Sequence, residues 1–239
     1  MMRKVRADLH VHTCLSPCAD ERMQAKAITE QAKRMGLDMI GICDHNSAEN
    51  VVAVMKAGQR EGLSVIAGME ITCREEAHIL GLFGDERTLM QMQELVYTHL
   101  PGKDYDESFG PQTIVDEWDR VVGANHHLLI GATTLTVEQI VEAIHRYSGI
   151  AIASHVDRER FSLIGQLGFI PEGLPLDAVE VSRPSTMQQK YDYPVVTSSD
   201  AHFLQDIGAH FTSFTLEETS LDEIRRALNH ENGRSLTLN

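Results

Sequence analysis

Basic residues are scarce in this chain: 21 Lys and Arg stand against 35 Asp and Glu, for a formal charge of -14. Affinity for duplex DNA comes largely from Lys and Arg on phosphates, so the deficit argues against duplex nucleic acid as a partner. Bound divalent cations would reverse the field, but only inside one pocket. Aromatic residues make up 5% of the chain, which counts against a groove that stacks the bases of a single strand on aromatic and basic side chains. Cys14, Cys18, Cys43 and Cys73 are too few for a disulfide framework in 239 residues and fit a reducing compartment. Cys14 and Cys18 flank Ser16-Pro17, a spacing that holds zinc only with two further ligands nearby, and they read as small loop cysteines. No apolar run approaches the length of a membrane span, and Met1-Met2-Arg3-Lys4 leads into the first strand without a secretory leader. The expectation is a cytoplasmic protein without a membrane partner. Internal repeats and low-complexity tracts are also missing, and the length suits a single domain over 1–239.

What is present is an alternation of short β-branched runs with amphipathic helical patterns, the signature of a parallel α/β architecture that can close into a barrel. Strands are expected at 5–11, 39–43, 64–68, 77–83, 150–154, 177–181, 194–199 and 211–216. Helices are expected after Asp20, after a Ser47 cap, after the Thr136/Gln139 capping box and after Ser220. Residues 85–134 read as an insertion that could cover a site, with a polar helix, a turn at 101–106 and a second helix after Pro111 carrying Ile114, Trp118 and Val121.

The chemistry lies at strand ends. In Val5–Val11, alternation places Val5, Ala7, Leu9 and Val11 on one face and Asp8, His10 and His12 on the other. Imidazoles two residues apart on a strand stand roughly 6.5 Å apart at the backbone and can reach one ion through nitrogens about 2.0–2.1 Å from it. Asp44, His45, Glu70, His155, Asp200 and His202 likewise fall at or just past the carboxyl ends of strands, where barrel enzymes assemble their sites. His78 departs from that pattern by standing at the start of its strand. Imidazoles with carboxylates form a donor set suited to Zn, Mn or Fe. Asp44 either caps the next helix or serves the metal site, whereas Glu70 would be an expensive carboxylate to bury without a cation. His99, His126, His127, His145, His210 and His230 read as surface, packing or insertion residues.

Taken in order, Asp8-Leu9-His10-Val11-His12-Thr13, Cys43-Asp44-His45-Asn46, Gly68-Met69-Glu70, Ser154-His155 and Ser199-Asp200-Ala201-His202 resemble the successive motifs of the PHP (polymerase and histidinol phosphatase) family. The resemblance implies a distorted barrel of seven strands, of the (β/α)7 type, with two or three divalent metal ions at its carboxyl end. Matched by motif, His10 and His12 would share a first metal with Glu70 and Asp200. Glu70 would bridge to a second held by His78 and His155, and His45 with His202 would hold a third. Where some relatives carry a histidine in the first loop, this chain offers Cys18 or Asp20; the expectation is Asp20, which could equally cap the helix that follows.

The function this implies is a metal-dependent phosphoesterase acting on a small phosphorylated substrate, a phosphomonoester or nucleotide. Clustered cations would acidify a bridging water and neutralise phosphoryl oxygens. Glu70, His155 and Asp200 would carry catalysis, and Arg158 and Arg183 would grip phosphate. The alternatives are a 3'-5' exonuclease on single strands and a metal-stabilised module without turnover. No oligomeric state is implied.

Overall fold

The computed structural model describes residues 1–102, 109–183 and 191–239. Its elements in chain order are β1 (Arg3–Val11), α1 (Ala25–Arg34), β2 (Met39–Ile42), α2 (Val51–Glu61), β3 (Ser64–Thr72), β4 (His78–Phe83), α3 (Glu86–His99), β5 (Thr113–Val115), β6 (Val121–Ala124), α4 (Val137–Arg146), β7 (Ile150–Ala153), α5 (Leu163–Leu167), β8 (Ala178–Glu180), β9 (Val195–Val196), β10 (Thr212–Leu216), α6 (Leu221–Leu228) and β11 (Ser235–Leu238). One sheet runs β11-β10-β1-β2-β3-β4-β7-β8-β9. Its far edges meet: Thr197 N–H donates to Thr212 Oγ1 at 2.9 Å, that hydroxyl donates back to Thr197 O, and Val11 bridges to Ala201. The strands β1, β2, β3, β4, β7, β8 and β9 thus form a nearly closed, distorted seven-stranded barrel, with β10 and β11 added antiparallel along β1. Among the described residues, no helix is long and apolar enough to cross a membrane.

Alternation along the strands builds two apolar layers. Leu9, Met39, Ile66, Leu80, Leu82 and Ile152 fill the inner one. Ile42, Ala67, Met69, Ile79 and Val179 face the outer helices. Fully burying such a side chain is worth about 1.5–3 kcal/mol. Helix ends follow local chemistry: the Thr136/Gln139 capping box starts α4, the Ser220 side chain accepts from Glu223 N, and Gly62 ends α2 in the left-handed region.

Four local expectations need correction. The segment after Pro111 is the hairpin β5–β6 and not a helix: its Thr, Ile and Val lose χ1 freedom in a helix, and Asp116 takes the N–H groups of Trp118 and Arg120 into a turn. Asn50 pins this hairpin through Thr113 O and Val115 N, so it cannot wind. Ser47 does not cap α2, because its hydroxyl is engaged with Tyr97. Strand β3 runs on to Thr72, so Glu70 is paired within it and does not end it. The strand β11 had no counterpart among the expected strands. Of the turn expected at 101–106, residues 103–106 lie outside the described residues, as does Pro184 after Arg183.

Candidate metal centre

A bulge in β1 sets the site. Asp8 pairs with Ile40 and Val11 with Ile42, so β1 carries one extra residue between them. Leu9 stays in the inner layer while Val11 moves to the outer one, and His10 and His12 converge inward. Strict alternation, which grouped Leu9 with Val11, fails here. The bulged backbone needs room: a Cβ at Gly41 would stand 2.4 Å from Leu9 O. Asp8 leaves the histidines and instead accepts hydrogen bonds from Ser199 N, Ser199 Oγ and Gly208 N, tying β1 to the loop that carries Asp200. Burial pushes its carboxyl up to about 6, although those donors oppose the rise.

Glu70 is the hub. Its carboxylate is buried and lies 3.0 Å from His45 Nδ1 and from His78 Nδ1, 3.4 Å from His10 Nε2 and from His155 Nε2, and 3.5 Å from His12 Nε2. His78 reaches it because β4 runs antiparallel to both β3 and β7, so the start of β4 lies at the end of the barrel where parallel strands finish. Asp200 Oδ1 is 3.0 Å from His12 Nε2 and 3.3 Å from His10 Nε2. His155 and Asp200 both adopt left-handed backbone (φ 31° and 51°), a conformation costing on the order of 1–3 kcal/mol each that the surrounding contacts must offset.

Hydrogen bonds settle which way the rings are protonated. His10 Nδ1 faces Glu180 at 3.1 Å and therefore carries its proton there. Ser16 Oγ donates to Asp44 at 2.7 Å, so His12 Nδ1, 3.0 Å from that hydroxyl, must be the donor to it. The two Nε2 atoms stand 3.1 Å apart beside two carboxylates. His202 Nδ1 donates to Asp200 O at 2.8 Å. A buried cluster of imidazoles and carboxylates is a donor set that divalent cations fit. Three ligand groups emerge: His10, His12, Glu70 and Asp200; His45, Glu70 and His78; and His12, His45 and His202. His155 adjoins the second through Glu70.

Charge within this centre is strongly polarised. Burial alone would raise Glu70 and Asp200, but His78, His10 and His45 hold Glu70, and His10 and His12 hold Asp200, well below the usual carboxylate range. Burial would lower His10 and His45, yet Glu180, Glu70 and Asp200 keep His10, and Glu70 keeps His45, well above the usual imidazole value. A cation must displace protons from these two rings. Metal binding is therefore expected to release protons and to weaken as pH falls. Calorimetry in two buffers of different ionisation enthalpy checks this, and equal heats would show that neither ring gives up a proton.

Not every expected ligand reaches the cluster. The Asp20 carboxylate is held by Arg22 through its Nε at 2.7 Å, its Nη2 and its backbone N–H, which pull the acid down to about 2. Nor does it cap α1; Asp119 of the β5–β6 turn does so, through Lys26 N and Ala27 N. Asp20→Asn is thus expected to leave metal content unchanged, as elemental analysis would show. Asp44 also stands behind the cluster, its oxygens taken by Thr13 N, Thr13 Oγ1 and Ser16 Oγ. Cys18, read as a bland loop residue, lines the pocket with His45, Glu70, His78, His155 and His202. Burial would raise its thiol, but hydrogen bonding to His202 and His45 brings it down to about 6. Sequence reasoning missed Glu180 too; a buried carboxylate at the carboxyl end of β8, the same strand-end position as the other site residues, was the available signal.

The pocket over the cluster holds about 300 Å³. Its rim is Ile130, Arg158, Arg160 and Phe161, the Phe161 ring lying nearly parallel to His78 at 5.0 Å between centroids. Arg158 bonds Asp200 Oδ2 at 2.5 Å and Ser182 Oγ at 2.7 Å. It also lines an adjoining cleft of about 710 Å³ with Arg183, Ser199 and His210.

These features define a distorted barrel with clustered imidazoles and carboxylates able to hold metal ions. The PHP domain model matches residues 8–170 and the PHP-associated model residues 186–232, so the chain belongs to the PHP family. YqxK of Bacillus subtilis, an uncharacterized protein, is 24% identical over 260 aligned positions, covering all of this chain and 65% of that protein. The lesion-specific endonuclease EndoQ of Pyrococcus furiosus superposes with a TM-score of 0.74 at 19% identity over 98% of this chain and 58% of that one. A Bifidobacterium adolescentis protein described as a metal-dependent phosphoesterase gives 0.55 at 20% identity, covering 82% of this chain and 87% of that one. The chain therefore spans about two thirds or less of YqxK and of EndoQ.

One expectation falls on these findings. Endonuclease Q, the same fold over 98% of this chain, is also solved with a 27-mer duplex carrying an abasic lesion at its active site. The exclusion of duplex nucleic acid in favour of a small phosphorylated substrate does not stand. Net charge is a property of the whole surface, whereas strand binding is decided along one cleft, where cations and a few arginines set the local field.

Proposed function

We propose that this chain hydrolyses a phosphodiester bond of nucleic acid using two or three divalent metal ions. The observation that carries the reading is the buried cluster of imidazoles and carboxylates around Glu70. His10, His12, Glu70 and Asp200 would hold one ion, Glu70, His78 and His155 a second, and His45 with His202 a third. Such ions supply an acidified water and neutralise phosphoryl oxygens. The protein's own part is placement. Arg158, standing between the metal pocket and the cleft that holds Arg183, positions the scissile phosphate bidentately, and Arg183 takes a neighbouring phosphate. Phe161 and Ile130 form an apolar wall suited to a sugar or base. The endonuclease Q fold supports nucleic acid as the substrate class.

Labelled duplexes, intact or with an abasic site, single strands and phosphomonoesters, each offered to chelator-stripped and metal-loaded protein, test this. Metal-dependent strand scission is the expected result, and turnover of phosphomonoesters without scission would overturn it. With only two or three phosphates contacted at about -0.9 each, the slope of log K against log salt should be shallow, on the order of -2 to -3.

A further inference from the structure

Within the cluster, the group formed by His12, His45 and His202 differs from the others. Its ring nitrogens lie within 4.8 Å of one another and it contains no carboxylate. His12 Nε2 is already drawn toward Asp200 and His10, so this position has two imidazoles to itself and no anion of its own. The first loop decides what supplies one. Asp20 points away into its pair with Arg22. The Cys18 side chain stands in the pocket wall together with His45 and His202. The loop is held in that position by Asp20 N donating to His202 O and by Ala19 N donating to Ser16 O.

We infer that Cys18 is a ligand of the cation held between His45 and His202, giving this PHP centre one sulfur donor in an otherwise nitrogen and oxygen set. On coordination the thiol S–H bond is lost, its proton goes to solvent and the sulfur lone pair bonds the metal. A thiolate with two imidazoles favours Zn, Fe(II) or Co(II) over Mn and Mg, so the position selects its metal where the carboxylate-rich positions do not. The inference rests on the metal-dependent reading above.

The test loads the stripped full-length chain with Co(II) and follows both metal content and near-ultraviolet absorption. A thiolate-to-cobalt charge-transfer band is expected, absent in Cys18→Ser, which should also hold one equivalent less cobalt. Independently, Cys18 is the one exposed cysteine, the other three being buried, so a thiol reagent labels it selectively. Cobalt should protect it. Cobalt bound at equal stoichiometry without the band, or labelling at the same rate with and without metal, overturns the role of Cys18 and leaves the metal-dependent reading intact. Failure to bind cobalt at all overturns both.

Discussion

Glu70→Gln should remove essentially all hydrolysis, a loss beyond the roughly 10²–10³-fold that deleting a single transition-state donor costs. Five histidine rings stand within 3.5 Å of the Glu70 carboxylate. It also belongs to two of the three ligand groups. The glutamine amide keeps the shape but offers one neutral oxygen, and its NH2 places a donor where the carboxylate offers only acceptors. Two cations should leave together. Elemental analysis is expected to show the loss of more than one equivalent, while the barrel, whose apolar layers do not involve Glu70, stays folded by circular dichroism. Retention of full metal content with near-wild-type rates would remove Glu70 from the centre of the site. His155→Ala should be milder in metal content, since His155 adjoins one group only through Glu70.

Asp44→Ala should act through stability as well as metal. Asp44 is fully buried and accepts from Thr13 N at 2.7 Å, Thr13 Oγ1 at 2.7 Å and Ser16 Oγ at 2.7 Å. Alanine leaves these donors unpaired, at about 1–3 kcal/mol for each that finds no other partner. A total of about 3–5 kcal/mol is expected, a fall of roughly 6–20 °C in Tm at about 2–4 °C per kcal/mol for a chain of this size. Ser16 would also lose the acceptor that orients its hydroxyl, and with it the proton position of His12. Metal affinity should drop about 10–100-fold, as for other residues that orient a ligand from behind. Thermal melts of the metal-stripped protein separate the two effects: a Tm equal to wild type there would show that Asp44 is no structural keystone.

These two carboxylates also mark where sequence and structure part. The motif order from Asp8 to His202 named the family and the end of the barrel where histidines and carboxylates gather, because strand periodicity and strand-end position are local properties. What alternation could not reveal is the β1 bulge: one inserted residue reverses the facing of everything beyond it, so His10 joined the inner layer with Leu9, and Val11 left it. The roles of Asp44, Asp20 and Cys18 were equally closed to sequence. All three follow the same first motifs, and which carboxylate or thiol meets a histidine depends on who else binds it, Thr13 and Ser16 for Asp44, Arg22 for Asp20. His78 looked misplaced until the antiparallel course of β4 was seen to bring its start to the site. Local pattern determined which residues this protein has available for metal chemistry; long-range pairing across the barrel decided which of them share a cavity, since a side chain's partner lies wherever the sheet closes and not where the chain is near in number.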